Sequence, residues 1–298
     1  MYSMLSATRI RMFLLLFWIG IFSYQAEPWL LLQEYAGFTL LGILGAVLAN
    51  ATGAGGGVVF VPFFNQLDFN VAASVATSFA IQCCGMTAGA ITWWAYYRKM
   101  HLTDHSEKNY WQSLSRVICL TVPASIIGVW MVQLQPQFFV SFSDPQSLHA
   151  GFGIFSILLS IAIFCSALLL NKPQLSVHLT HADCAALVLI AWVGGGITAW
   201  LSIGVGELLA VYLIIRGFNV TFAIAAAVML SAFTVWGGVI FHLWVTHAIY
   251  WPVVLFAGAG AIIGGILAKQ LVLFFSPKNL KLFFAGWVFI LGVVTLPF

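Results

Sequence analysis

The chain has 298 residues, of which 62% are hydrophobic and only 6% are charged. Ordinary soluble domains carry about 25% charged residues, and so few charges cannot cover the water-exposed surface of a fold of this size. The formal charge of +3 does not indicate nucleic-acid binding, because the basic residues lie in scattered loops rather than in one patch. Composition therefore predicts an all-α, polytopic membrane protein with nearly every residue in the bilayer or in a short loop.

The apolar runs follow one another along the chain, and a spanning helix needs about 20 largely apolar residues. The first run, at 12–32, is predicted to be a retained N-terminal helix, with a cleaved signal peptide as the alternative. Two longer runs, at 36–66 and 182–216, are interrupted by glycines. The other runs predict uninterrupted crossings at 72–97, 113–134, 149–170, 219–245, 249–270 and 279–297.

The basic residues decide between two topologies for the interrupted runs. If each run crosses the bilayer once, the most basic loop, at 98–116, lies on the side opposite Arg9 and Arg11, against the positive-inside rule. If each run is a hairpin that enters and leaves on one side, all eleven Lys and Arg lie in the cytoplasm. The outer loops then carry only acidic residues among their charges. We therefore predict two re-entrant hairpins.

The interrupted runs also repeat at a fixed offset of 149 residues. Phe69-Asn70-Val71 corresponds to Phe218-Asn219-Val220, and glycines recur in register at 45 and 194, 55 and 204, 57 and 206, and 89 and 238. Each copy comprises one hairpin and three crossings, so the second copy is inverted. The predicted divisions are an N-terminal helix (1–35), a first repeat (36–170) and a second repeat (171–298). Paired, glycine-interrupted inverted repeats are typical of secondary transporters with a site near the bilayer midplane.

The two glycine breaks are the candidate substrate site. The first break has the sequence Gly53-Ala54-Gly55-Gly56-Gly57, and a short helix resuming near Val58 would leave the N–H groups of about Gly55 to Val58 as free donors for an anion. The second break, Ser202-Ile203-Gly204-Val205-Gly206-Glu207, offers the same feature from the opposite side. Close helix packing is the alternative explanation of such glycines. Two clusters at equivalent positions favour a site for a small anion.

Polar side chains near the first break are further candidates. Thr77, Ser78 and Gln82 follow the first hairpin on one helix, and their alternative role is hydrogen bonding between helices. Asn50 and Thr52 precede the break, where they either line the same cavity or cap exposed backbone. No Lys or Arg is predicted inside the bilayer, so anion binding would rely on N–H groups, hydroxyls and helix dipoles. Binding of this kind is expected to be weak and reversible.

Glu207 is the only acid predicted in the membrane interior. Such a residue is a functional candidate, and proton coupling is the sharper hypothesis. The alternative is a helix N-terminal acid stabilised by the helix dipole. His178, His181, Asp183 and Cys184 are expected in a solvated cytoplasmic loop, because their spacing fits no zinc pattern well. We predict no metal site and no cofactor.

Two stretches resemble a known family. Gly45 through Pro62, with a Gly-x-Gly-Gly-Gly-x4-Pro ending, and Ala76-Thr77-Ser78 resemble the signature of the sulfite-exporter family of TauE/SafE type. Gly204-Val205-Gly206-Glu207-Leu208 resembles the weaker second repeat of that family. From about residue 36 onward, the resemblance implies a permease of the bacterial inner membrane for small sulfur-containing or organic anions, with Thr77 and Ser78 as the best side-chain ligands.

The second repeat departs from the first at two places. Val211 stands where the first repeat has Pro62, and Ala225-Ala226-Ala227 stands where it has Ala76-Thr77-Ser78. The first repeat is therefore expected to carry more of the hydrogen-bonding capacity. The substrate-binding candidates from both repeats are Gly53, Gly55, Gly56, Gly57, Thr77, Ser78, Ser202, Gly204 and Gly206, with Glu207 as the coupling candidate.

The predicted function is secondary transport of a small sulfur-containing anion, such as sulfite or an organosulfonate. Another small organic anion is the alternative substrate. An intramembrane enzyme that uses Glu207 or a cysteine is an alternative of another class, but the sequence has no His-Glu-x-x-His, no Gly-x-Ser-x-Gly and no paired intramembrane carboxylates. A channel or scaffold protein is a third possibility, which broken inverted repeats fit less well. The expected partners are the anion and the lipid bilayer.

Overall fold

The computed structural model describes residues 16, 18–25, 27–103, 111–135, 145–168 and 179–296. Within these ranges the chain is helical and contains no β-strand. From residue 27 onward the helices are α1 (Pro28–Tyr35), α2 (Phe38–Thr52), α3 (Gly57–Gln66), α4 (Val71–Thr103), α5 (Leu114–Gln133), α6 (Pro145–Leu168), α7 (His181–Leu201), α8 (Val205–Ile215), α9 (Val220–Phe241), α10 (Trp251–Phe274) and α11 (Pro277–Thr295). A π-helical turn, His242–Thr246, continues α9.

Five of the described helices are long and apolar enough to cross a bilayer, namely α4, α5, α7, α9 with its π-helical turn, and α10. α1 and α2 pass the same test as a pair, although they are bent by 53° at Ala36 and Gly37. The chain is therefore an all-helical integral membrane protein, as its composition predicts. α3 and α8, with 10 and 11 residues, are about 15 Å long, which is half the hydrocarbon core.

Both interrupted runs break at their glycines. α2 ends at Gly53, whose φ of +81° lies in the left-handed region that costs other residues about 1–2 kcal/mol. α7 ends at Ser202, also left-handed at φ +61°, and Gly204 follows at φ +133°. The second run is thus a 21-residue helix joined to a short one. Because α7 is long enough to cross the bilayer alone, the re-entrant shape of this hairpin stays a prediction.

The repeat recurs in the helix bounds and in the packing. α4 and α9 begin directly after Asn70 and Asn219, and each asparagine side chain accepts backbone N–H groups of the helix that follows. α2 packs on α10 as α7 packs on α5, and α4 packs on α10 as α9 packs on α5. Two other large interfaces, α4 with α9 and α6 with α11, each join equivalent helices, and α8 packs on α9 as α3 packs on α4. Exchange of the two repeats therefore leaves this set of interfaces unchanged, and the division into two inverted copies stays a prediction.

α9 lies at the centre of the bundle. It packs against α4, α5 and α8, and its residues Phe222, Ala225 and Leu230 have no exposed surface. By contrast, large apolar side chains on peripheral helix faces, such as Ile91 and Leu158, are more than half exposed, as expected for residues that face lipid tails. The short helices α3 and α8 pack against the central pair of α4 and α9, α3 on α4 and α8 on α9.

Candidate functional site

The two glycine breaks lie against each other inside the bundle. A Cβ atom on Gly57 would lie closer than 3.0 Å to the carbonyl oxygen of Ser202, and one on Gly206 would lie equally close to the carbonyl oxygen of Gly53. Gly55 also faces the Ser202 carbonyl oxygen, at 3.1 Å from its own Cβ position. Any side chain at Gly57 or Gly206 would push the two breaks apart. The structure therefore brings together the two runs that the sequence singles out.

Glu207 joins the two breaks. Its Oε1 accepts the N–H of Gly55 at 2.7 Å, across 152 positions of sequence, and its Oε2 accepts the N–H of Gly204 at 2.9 Å. The side chain belongs to the first turn of α8 and is 2% exposed. The carboxylate thus acts as the N-terminal acid of its own helix, one of its two predicted roles, and also binds the backbone of the first break.

Gln82 on α4 connects the same elements from the other side. Its Oε1 accepts the N–H of Gly56 at 2.8 Å, while its Nε2 donates to the Ser202 hydroxyl at 2.8 Å and to the Ser78 hydroxyl at 3.1 Å. The Ser202 hydroxyl also donates to Ser78, at 2.9 Å. Sequence reasoning placed Gln82 near the break but not among the substrate-binding candidates. Its position one helical turn after Ser78, on the same face of α4, could have indicated that both side chains reach the break.

The donors of the first break are not free in this structure. The N–H groups of Gly55 and Gly56 bind Glu207 and Gln82, and the N–H of Val58 donates to the Gly55 carbonyl at 3.4 Å. The expectation of free donors from Gly55 to Val58 is therefore wrong for these three groups. The physical reason is that a buried N–H without a partner is too costly at membrane depth, so the protein supplies its own acceptors.

Three other candidates lie beside the breaks rather than between them. The Thr77 hydroxyl accepts the N–H of Tyr250 at 3.0 Å, so it is directed toward the start of α10 and not toward Ser78 and Gln82. Asn50 binds the carbonyl oxygens of Ala46 and Gly85, and thereby ties α2 to α4. Thr52 accepts the N–H of Ala54 at 3.2 Å, which is the backbone-capping role proposed for it. The structure thus keeps Ser78 and Ser202 at the contact but not Thr77.

A half-buried ion pair joins the start of α7 to the residue that follows α8. Both carboxylate oxygens of Asp183 accept hydrogen bonds from Arg216, and one also accepts from the Tyr212 hydroxyl at 2.7 Å. The bond to Asp183 raises the pKa of the Arg216 guanidinium. The expectation of a loop is wrong for His181, Asp183 and Cys184, which belong to α7, whereas His178 lies outside the described residues. Asp183 is 2% exposed and forms a capping box with Thr180. The Thr-x-x-Asp spacing at 180–183 was the available signal.

Within the described ranges, no group of three or more His, Cys, Asp or Glu side chains is placed to hold a metal ion. The cysteines at positions 83, 84, 119, 165 and 184 are free thiols. The chemistry available at the contact is therefore that of the Ser78, Ser202 and Ser231 hydroxyls, one amide, one carboxylate and backbone N–H groups. Apart from the carboxylate, these groups can donate hydrogen bonds to an oxyanion if their internal acceptors move aside.

Comparison with known proteins assigns the chain to a family. The model of the family described as "Sulfite exporter TauE/SafE" matches residues 38–295, which run from the start of α2 to the end of α11 and include both breaks. No curated protein and no solved structure matches significantly. Because the family match covers nearly the whole chain, the protein belongs to the sulfite exporter TauE/SafE family of membrane permeases.

Proposed function

We propose that the protein is a secondary transporter that carries a small sulfur-containing anion, such as sulfite or an organosulfonate, across the bacterial inner membrane. The observation that carries this proposal is the buried contact between the two glycine breaks, where Ser78, Gln82, Ser202 and the N–H groups of Gly55 and Gly56 converge. A sulfur oxyanion carries several acceptor oxygens on one sulfur atom, and these residues supply several hydrogen-bond donors close to one another.

The physical character of the site supports transport rather than tight capture. Its donors carry no net charge, so a bound anion would form hydrogen bonds of about 1.5–3 kcal/mol each but no ion pair, and it would still lose its hydration. Weak binding allows release on the far side of the membrane. The contact is also closed, since the hairpin backbones are too near each other for even one added carbon atom. Passage of an anion therefore requires the hairpins to separate, which fits alternating access better than an open channel.

The same geometry disfavours an intramembrane enzyme. A nucleophilic serine needs an adjacent general base. In the described structure the hydroxyls of Ser78 and Ser202 bind each other and the amide of Gln82, which has no basic group. Glu207 binds backbone N–H groups rather than either serine. No activated nucleophile is therefore formed at the contact, and binding without bond breaking is the function it supports.

Two serines of α4, one helical turn apart, provide the test. Ser78 and Ser74 are both fully buried, but the Ser74 hydroxyl has no hydrogen-bond partner among the described residues, whereas Ser78 belongs to the contact. In proteoliposomes that take up radiolabelled sulfite and a panel of sulfonates, we expect Ser78→Ala to lower transport efficiency about tenfold. We expect Ser74→Ala to transport as the wild type does.

Two results would count against the proposal. The first is wild-type flux no greater than that of empty liposomes for every anion of the panel. The second is an equal loss in Ser74→Ala and Ser78→Ala, because it would show that α4 matters for folding rather than for the anion. Flux of a carboxylate anion but of no sulfur-containing anion would change the proposed substrate class and leave the proposed transport function in place.

A further inference from the structure

A side-chain anion already occupies a donor of the first break. Glu207 lies on α8, in the second hairpin, yet its Oε1 accepts the Gly55 N–H at the start of the first hairpin's short helix. Its Oε2 accepts the Gly204 N–H. Both oxygens thus serve as acceptors, which is the pattern of an ionised carboxylate, because a protonated carboxyl group must donate its O–H to a further acceptor. The second hairpin in effect presents an anion to the first.

The charge of this carboxylate is balanced by backbone dipoles alone. Its hydrogen-bond partners are N–H groups at two helix N-termini. Among the described side chains of the helices around it, α2 and α3 carry no titratable group, α6 carries the exposed Cys165, and the buried His242 lies in the π-helical turn at the end of α9. α4 carries Cys83 and Cys84 and, at its C-terminal end, Tyr96, Tyr97, Arg98 and Lys99. His181, Asp183, Cys184, Tyr212 and Arg216 lie at the opposite end of the helix pair α7 and α8. Loss of even one N–H partner would therefore leave a nearly bare charge in an apolar interior, and proton uptake is the inexpensive response.

One polar group at the contact, the Ser231 hydroxyl, has no hydrogen-bond partner among the described residues. The Ser231 side chain is 2% exposed, and it lies against Gly206, beside the Gly53 carbonyl. Ser231 follows Gln82 by the repeat offset of 149 residues. In the first repeat the longer Gln82 side chain reaches the N–H of its break. Its serine counterpart is too short to do so, which leaves a buried donor available to an oxygen atom that enters the contact.

From these contacts we propose that Glu207 and the transported anion compete for the Gly55 N–H, so that the anion binds as Glu207 accepts one proton and withdraws as a neutral acid. The proposal rests on the transport function proposed above and names its coupling ion. Two negative charges never share the donors. One proton and one monoanion enter together from one side and leave together on the other, so the cycle moves no net charge. Ser231 becomes paired when the anion is bound.

The variant that separates coupling from binding is Glu207→Gln, which keeps the shape of the side chain and cannot exchange a proton. The probe is methanesulfonate, which does not itself titrate near neutral pH. With labelled probe outside and unlabelled probe inside at equal pH, we expect counterflow to persist and to lose its pH dependence. We expect net uptake driven by a pH gradient to fall about tenfold or more. Glu34→Gln, which removes an exposed acid on α1, is the matched control and should leave both activities unchanged.

Each outcome decides the question. If Glu207→Gln keeps proton-driven uptake with the wild-type pH profile, Glu207 is only a helix-capping acid and the proposal is overturned. Loss of counterflow together with net uptake, in a protein that stays folded by size-exclusion chromatography, would show a purely structural role. If the variant does not fold, proton uptake by the wild-type protein is measured in weak buffer on addition of methanesulfonate. One proton per bound anion supports the competition, and none overturns it. Absence of any wild-type flux is a different result, because it removes the proposed function itself.

Discussion

Replacement of Gly206 by alanine tests whether the contact between the breaks controls transport. The new Cβ atom would lie closer than 3.0 Å to the Gly53 carbonyl oxygen and to the Ser231 hydroxyl, where ordinary contact begins at 3.4 Å. The serine side chain can rotate, but the carbonyl belongs to the backbone, so the hairpins must separate by about 1 Å. Overpacking of this kind costs about 1–3 kcal/mol, and the better helix propensity of alanine returns about 1 kcal/mol.

We therefore expect Gly206→Ala to lower the free energy of unfolding by up to about 2 kcal/mol. Anion flux should fall more steeply, because the hydrogen bond between Gly55 and Glu207 spans the same contact. Denaturant unfolding in detergent measures the first effect, and proteoliposome uptake measures the second. Gly286→Ala is the control, since a Cβ atom there meets nothing within 4 Å. Equal behaviour of the two variants in both assays would refute the reasoning.

Two further predictions concern the ion pair and the orientation. Asp183→Asn should lower the free energy of unfolding by about 1–3 kcal/mol. This loss is smaller than that of a fully buried ion pair, because the Arg216 side chain is 41% exposed. A double-mutant cycle with Arg216→Gln that gave no coupling energy would contradict the prediction. In a background without native cysteines, Lys278→Cys should react with an impermeant maleimide only from the cytoplasm and Glu34→Cys only from outside. Reaction of both from one side would exclude the proposed topology.

Much of the fold could be predicted because its signals are local. Residues 72–97 and 113–134 were expected as crossings, and the helices extend over Val71–Thr103 and Leu114–Gln133. The break at Gly53 was also predictable, since a left-handed residue after an apolar run is a short-range signal. Hydropathy and backbone conformation depend on neighbouring residues and on the bilayer, so they need no knowledge of distant contacts. The family resemblance rests on the same local motifs.

The hydrogen bonds of the site depend on contacts between distant parts of the chain. Sequence patterns place Gly55 and Glu207 in corresponding breaks, but they do not show that the carboxylate of one break binds the N–H of the other across 152 positions. They also do not show which way Thr77 faces on α4, or that Gln82 rather than a substrate meets Gly56. A buried N–H group accepts any partner that packing brings within reach, and packing is a property of the whole bundle. The sequence alone therefore determined a membrane helix bundle with two glycine breaks, and only the tertiary structure decided that those breaks are closed on each other by Glu207 and Gln82.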